Sequence, residues 1–513
     1  MRQAGLLLPL FSARAPGSWG VGEIPDLVPL ASYARAAGFS AVQVLPVNEV
    51  SRGQNSPYGA LSAFAIDPAY ASLAAMPDFA AAGGLAALEP SDREEIARLD
   101  EARAIAWPRV RAVKDRALDL AFRSFLEKEW QPRTPRAAEL AAFCEEVAPW
   151  LDDYALFVGL HDDVFAGRPW TTWPAPLRDR DPAALDQARE ELSERILYYS
   201  WLQWQLDVQW RAARSATLRL GVELWGDLPF MVAPDSADVW ARVGEFRLDA
   251  RVGVPPDAFS ATGQDWGLPV FRWDVMEKGG FAWMVERARR SAELYGAYRV
   301  DHVVGLYRTY YRPDDGGPAA FTPAEEPAQI RNGETMMRIF SKGAQVIAED
   351  LGVVPGFVRR SLASLGIPGY RVLRWEKDDT VFRDPAAWPA VSVATTGTHD
   401  TESSADWYDQ LDEKERKAFL EIPGLAALKA RGPATFDDGV RDAILELVYA
   451  SGSEFCLVPF QDAVGSRERT NTPGTVNDQN WSYRVPAPVA ELAKDPAAAR
   501  LRALAERSRR LAG

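Results

Sequence analysis

Arg299-Val300-Asp301-His302 ends one apolar run of the chain, and Ala348-Glu349-Asp350-Leu351-Gly352 ends the next. Each block reads as a β-strand that delivers a carboxylate at its C-terminal end. A third block, Thr398-His399-Asp400, follows the run Val391-Ser392-Val393-Ala394. Working outward from these, short apolar runs place strands at 4–9, 40–46, 219–227, 298–301, 345–349, 370–375, 391–396 and 455–460. Several are continuous rather than alternating, as expected of parallel strands buried on both faces. Helical stretches follow many of them, such as 26–37 and 280–294. Eight strands with crossover helices predict an α/β protein with the TIM (β/α)8 barrel fold. A doubly wound open sheet is the alternative.

The expected barrel spans 1–513 as a single catalytic unit with large, mainly helical insertions. Residues 66–200, between the second and third strands, read as a helical insertion, with Ala-rich and charged segments at 92–128 and 181–197. The stretch 229–273 reads as irregular and is rich in Pro, Gly and aromatics. It is too long for a plain connection, and loops of that length are usually functional.

Composition excludes several function classes. The chain has 513 residues, a net charge of -14 and a pI near 5.0, which suits neither nucleic acid nor an anionic membrane as partner. A neutral substrate is indifferent to that charge. Cys144 and Cys456 form no CxxC pair, which fits a reducing cytoplasm. The apolar stretch 6–11 is interrupted by Pro9 and is too short for an export signal. No run reaches the length of a membrane span. Most of the 18 Trp, 22 Phe and 15 Tyr belong to a core, but flat aromatic faces also stack on sugar rings.

Active sites of such barrels lie at the C-terminal strand ends. There, Asp301 is either a helix cap paired with Arg299 or a nucleophile that the Arg299 charge keeps ionised. An arginine two residues before an aspartate on a strand points the same way. Glu349 is either a cap or an acid catalyst, whose raised pKa an apolar wall and nearby carboxylates supply. Asp350 alternates to the other side and is expected to be structural. Carboxylates at successive strand tips suit the making and breaking of a glycosidic bond, which needs one nucleophile and one proton donor.

The chain has three histidines, and His302 and His399 each adjoin a candidate Asp. A metal site of His–Asp pairs is the rival reading. His161, in the helical insertion, is expected to be structural, so no metal is expected. Tyr58, aimed by Ser56-Pro57, stands at a loop tip where it can pack or stack on a sugar. Gly226-Asp227-Leu228-Pro229 ends the third strand in the same manner. Phosphate-loop, dinucleotide, zincin and serine-hydrolase signatures are missing.

With these blocks in order the chain resembles the 4-α-glucanotransferases of glycoside hydrolase family 77, the amylomaltases or disproportionating enzymes. The likeness runs almost end to end. It includes Ser56-Pro57-Tyr58, Gly226–Pro229, Asp235-Ser236-Ala237-Asp238-Val239-Trp240 and Gly253-Val254-Pro255-Pro256-Asp257. It continues through Thr262–Gly267, Arg299–His302, Ala348–Gly352, Gly397–Asp400, Gln461-Asp462, Asn471–Thr475 and Asn480-Trp481. The resemblance implies that Asp301 is the nucleophile, Glu349 the acid/base and Asp400 a third carboxylate that grips sugar hydroxyls. It implies that Tyr58, Asp227, Arg299, His302 and His399 line the same subsite. A lid at 253–269 would turn Asp257 and Trp266 toward an α-1,4-glucan, with glucose among the acceptors. No cofactor is implied. The chain departs from the family pattern at Val303-Val304, Thr401, Leu268 and Ala261, which bears on acceptor binding and on the balance of transfer to hydrolysis. A glucan hydrolase on the same barrel and a non-catalytic glucan-binding protein are the rival functions.

Overall fold

A computed structural model describes residues 2–256 and 263–511. Among them eight parallel strands close into a barrel: β1 (Gln3–Leu7), β2 (Ala41–Gln43), β3 (Glu223–Leu228), β4 (Ala297–Val300), β5 (Gln345–Ala348), β6 (Gly369–Val372), β7 (Ser392–Thr395) and β8 (Phe455–Pro459). Each pairs with its neighbours in chain order. β8 returns to β1 in register, Gln3 opposite Phe455, which rules out the open sheet. Every residue of β2, β4, β7 and β8 is buried, the reason those runs are apolar without alternation. The third strand starts later than its sequence suggests. The helix Ser193–Arg219 runs through the expected start, and Gly221, at φ +73°, turns the chain out of it.

The stretch 229–273 is not irregular throughout, which corrects the sequence reading. It carries Phe246–Val254 and Gln264–Phe271, two strands of a four-stranded antiparallel sheet completed by Thr309–Pro313 and Ala320–Thr322. The connection after β3 and the connection after β4 thus share one sheet above the barrel. The signal was present: in Phe246-Arg247-Leu248-Asp249-Ala250-Arg251-Val252 apolar and charged residues alternate strictly. Asp257 and Ala261 lie outside the described residues.

Between β2 and β3 the chain forms helices that include Pro90–Glu101, Trp107–Phe125, Pro135–Val158 and Ser193–Arg219. The last buries Trp201, Leu206 and Trp210 completely. It also holds down a segment with little regular structure. The Gln203 side chain accepts from the Ile66 N–H and donates to the Ile66 carbonyl, both at 2.9 Å. Gln209 does the same at Ser72, at 2.9 and 3.0 Å. Each amide satisfies two backbone groups that lack a strand partner. No helix of the described residues is long and apolar enough to cross a membrane.

A buried ion ties this helical segment to the barrel. Lys114, on Trp107–Phe125, donates to Glu23 at 2.8 Å and to the carbonyls of Ala69 and Ala71 at 2.7 Å. Its side chain is only 1% exposed and that of Glu23 5%. Lys114→Met would leave Glu23 buried and unpaired, which costs about 3–5 kcal/mol. The expected outcome is a clear drop in the thermal midpoint, measured by circular dichroism; an unchanged midpoint would show that the tie contributes nothing.

Candidate active site

Strand register builds the site. In the β3–β4 ladder Asp227 stands opposite Arg299, so both side chains leave the sheet on the same face. The Arg299 Nη1 donates to both Asp227 oxygens, at 2.8 and 2.9 Å. Its Nη2 lies 2.7 Å from Asp301 Oδ1 and 4.0 Å from Glu349 Oε2. Asp301 and Glu349 are the residues directly after β4 and β5, and Val300 pairs with Ala348, so the two carboxylates emerge at one level. Those two distances to one nitrogen bound the gap between the facing oxygens. That bound excludes all but the lower edge of the separation of about 6.5–9.5 Å that inverting glycosidases use and includes the about 5–5.5 Å of retaining ones.

One buried guanidinium thus faces three carboxyl groups. Burial raises the pKa of Asp227, and Arg299 is the strongest opposing influence. Glu349 is pushed up to about 8: burial dominates, Asp301 adds to it, and Arg299 and two backbone N–H groups pull the other way. Those N–H groups belong to His302, donating at 2.8 Å, and Leu351, donating at 2.9 Å. Burial thus favours the protonated form of the Glu349 carboxyl.

His302 caps the short helix Val303–Tyr307 with φ +42°. Its ring meets Phe230 edge-on at 5.4 Å and Trp266 at 4.7 Å. Burial pulls its pKa down to about 4, so at neutral pH it brings no second cation to the carboxylates. Gly305 makes this packing possible, because a Cβ there would come within 2.5 Å of the Phe230 ring and 2.7 Å of His302.

The facing wall comes from the connections after β2, β7 and β8. The Tyr58 hydroxyl donates to Asp227 at 2.8 Å, and its ring stacks on His399 at 5.2 Å. Trp481 contacts both rings at 5.9 Å. Asp400 accepts from Asn471 at 2.6 Å and lies 3.4 Å from His399 Nε2, with its side chain 43% exposed. Its carboxylate is held in place yet open to a ligand.

The two walls enclose a cavity of about 440 Å³. Among the expected residues Tyr58, Trp266, Asp301, Glu349, His399 and Asp400 line it, with Arg299 and His302 between them. Asp227 lies beneath and holds Arg299. His161 is elsewhere, bonded to Asp162 at 2.7 Å and to Asp235 at 3.1 Å. Burial acts to lower its pKa, but the two carboxylates outweigh it and carry it to about 9. The three histidines do not converge. Among the described residues no group of three His, Cys, Asp or Glu side chains is placed to hold a metal ion.

Sequence reasoning missed Arg308, Tyr310, Phe321 and Trp375, which line the same cavity. Trp375 was hidden inside an expected strand, but β6 ends at Val372 and Trp375 follows it. Arg308 and Tyr310 belong to the run Arg308-Thr309-Tyr310-Tyr311-Arg312, whose β-branched and aromatic centre a strand reading would have found.

The 4-alpha-glucanotransferase family model matches residues 8–490. A 4-alpha-glucanotransferase of Thermus thermophilus is 36% identical, over 99% of this chain and 99% of the relative. One from Chlamydia pneumoniae is 31% identical, over 95% and 92%. Among solved structures, the amylomaltase of Streptococcus agalactiae in complex with acarbose superposes with a TM-score of 0.85 at 25% identity, covering 99% of this chain and all of that one. Nearly the whole chain is matched in each comparison, so the chain belongs to glycoside hydrolase family 77, the 4-alpha-glucanotransferases.

Proposed function

We propose that the chain transfers α-1,4-glucan segments from a donor maltooligosaccharide to the 4-hydroxyl of an acceptor glucan or glucose, by retaining double displacement. The observation that carries this is the pair Asp301 and Glu349 sharing one Arg299 nitrogen inside a single cavity. In the first step Asp301 Oδ attacks the anomeric carbon. The glycosidic bond breaks toward its oxygen, which takes the proton of Glu349. In the second step Glu349, now a carboxylate, takes the proton of the acceptor's 4-hydroxyl. That oxygen bonds to the anomeric carbon as the bond to Asp301 breaks. One α-1,4 bond replaces another, so the free energy hardly changes and no cofactor enters.

Arg299 serves by pairing with Asp301 and fixing its carboxylate toward the cavity, and Asp227 and Tyr58 serve by holding Arg299. Asp400, fixed by Asn471, and His399 would grip the hydroxyls of the sugar at the reacting end. Within 229–273, the strands that carry Trp266 would act as a lid; Asp257 would belong to the same lid. Segment 66–200 would be an insertion that braces the barrel. We place the protein in the cytoplasm, supported by its two free cysteines, Cys144 and Cys456.

Incubation with maltotriose is the direct test of transfer. Glucose and a ladder of longer maltooligosaccharides are expected, with reducing ends nearly constant. A rise in reducing ends equal to the substrate lost would make the protein a hydrolase instead.

The acid form of Glu349 exists only below its raised pKa. kcat/KM should therefore hold through neutral pH and fall as the pH passes about 8. Glu349→Gln should lose about 10²–10⁴-fold in turnover and lose this alkaline limb. A pH profile that falls already near pH 5, or a limb retained in the variant, would remove Glu349 from the acid role.

Trp266 donates to Gln264 at 3.1 Å and meets His302 edge-on, in the wall of the cavity. If it shields the covalent intermediate from water, Trp266→Ala should release more free sugar per transfer event without lowering the melting temperature. An unchanged ratio with a melting temperature several degrees lower would make Trp266 a packing residue only.

A further inference from the structure

The cavity wall also carries an arginine outside the catalytic group. Arg308 follows the helix Val303–Tyr307 and precedes the strand Thr309–Pro313. It is half-buried and lines the cavity together with Tyr310 and Phe321. Its guanidinium lies over the Phe321 ring at 4.3 Å, and Phe321 meets Tyr310 edge-on at 5.3 Å across the strand pair. The aromatic face fixes the plane of the guanidinium without using its N–H groups.

Those donors are not spent within the protein. Arg308 makes no ion pair within 4.0 Å among the described residues, and its buried Nε has no hydrogen-bond partner. Structural arginines of the same fold also leave a buried nitrogen unpartnered, as Arg290 and Arg374 do, but their other nitrogens are bonded within the protein. Arg290 is bonded to Asp207 at 2.9 Å, and Arg374 to the Thr396 carbonyl at 3.1 Å and the Glu402 carbonyl at 2.9 Å. A buried donor without a partner is costly, and such a donor at a cavity wall is satisfied when a ligand arrives.

Position decides which part of the ligand. Tyr58 comes from the connection after β2, and His399 and Asp400 from the connection after β7. Arg308, Tyr310 and Phe321 come from the connection after β4, the strand between β3 and β5, and the Val303 N–H of that connection bonds the Glu349 carbonyl at 3.2 Å. Glu349 protonates the leaving oxygen, so the leaving and incoming sugars occupy its side. An anionic acceptor is disfavoured there, because Asp301, Glu349 and Asp400 line the same cavity. Neutral hydroxyls suit it.

We infer that Arg308, held flat on Phe321, is a specificity-determining residue of the acceptor side, where it donates hydrogen bonds to hydroxyls of the incoming glucan. This rests on the transfer reaction proposed above. Arg308 thereby orients the acceptor so that its 4-hydroxyl meets the anomeric carbon while the proton passes to Glu349.

The test uses α-maltotriosyl fluoride as donor and glucose as acceptor, with wild type, Arg308→Met, Arg308→Gln and Arg308→Lys. Fluoride leaves without occupying the acceptor side, so the two half-reactions separate. Arg308→Met and Arg308→Gln should raise the half-saturating glucose concentration by about tenfold or more, the loss of one hydrogen bond to a charged group. The rate at saturating glucose should fall much less. Arg308→Lys, with the charge but not the fork, should recover part of the difference. If Arg308→Met does not fold, the Gln and Lys variants carry the same comparison. An unchanged glucose dependence in the Gln and Lys variants overturns the inference, and so does an equal fall in fluoride release measured without glucose. Wild type that releases fluoride but forms no transfer product with glucose would instead refute the transfer reaction.

Discussion

The site depends on one buried guanidinium. Arg299 touches Asp227 on one side and Asp301 on the other, and reaches toward Glu349 with the same nitrogen that holds Asp301. A single positive charge cannot neutralise three carboxylates in a place this dry. Asp227 and Asp301 take its direct contacts, and burial raises the pKa of Glu349, which lies farther away. In the proposed mechanism the nucleophile must be ionised and the proton donor must not be; Asp301 is the carboxylate in direct contact with Arg299, and Glu349 is the one that burial pushes up. His302 preserves the asymmetry because its apolar surroundings keep it neutral.

The barrel supplies that geometry cheaply in sequence terms. A parallel ladder sets Asp227 opposite Arg299 and Val300 opposite Ala348, so adjacent strand tips present their carboxylates at one height. Rigid strands are better supports than loops for groups that must sit within a fraction of an ångström of each other. The longer connections then add what the strands cannot. One brings Tyr58 and its hydrogen bond to Asp227, and two others build the antiparallel sheet that carries Trp266 and Tyr310 to the cavity.

Much of this was legible in the sequence. The barrel strands announce themselves as uninterrupted apolar runs, because strands buried on both faces have no polar side to alternate. The carboxylates were legible because each ends such a run. What escaped was whatever depended on contacts between distant segments. The strand Phe246–Val254 alternates plainly, but its Pro-, Gly- and aromatic-rich surroundings masked it. Arg308 carried no motif at all; only the position of Phe321 beneath it and its unpartnered Nε set it apart. The pairing of Gln203 with Ile66 and of Gln209 with Ser72 joins residues far apart in the chain, and no local pattern encodes it.

The central claim is that Asp301, paired with Arg299, forms a covalent bond to the sugar. It is tested most directly by trapping that bond. Glu349→Gln, mixed with α-maltotriosyl fluoride, can still expel a leaving group that needs no proton but lacks the base that returns the sugar to an acceptor. Mass spectrometry of the quenched, digested protein should then find one maltotriosyl group on the peptide that contains Asp301, at Asp301 itself. A label on another carboxylate, or fluoride release with no label on the protein, would contradict the account.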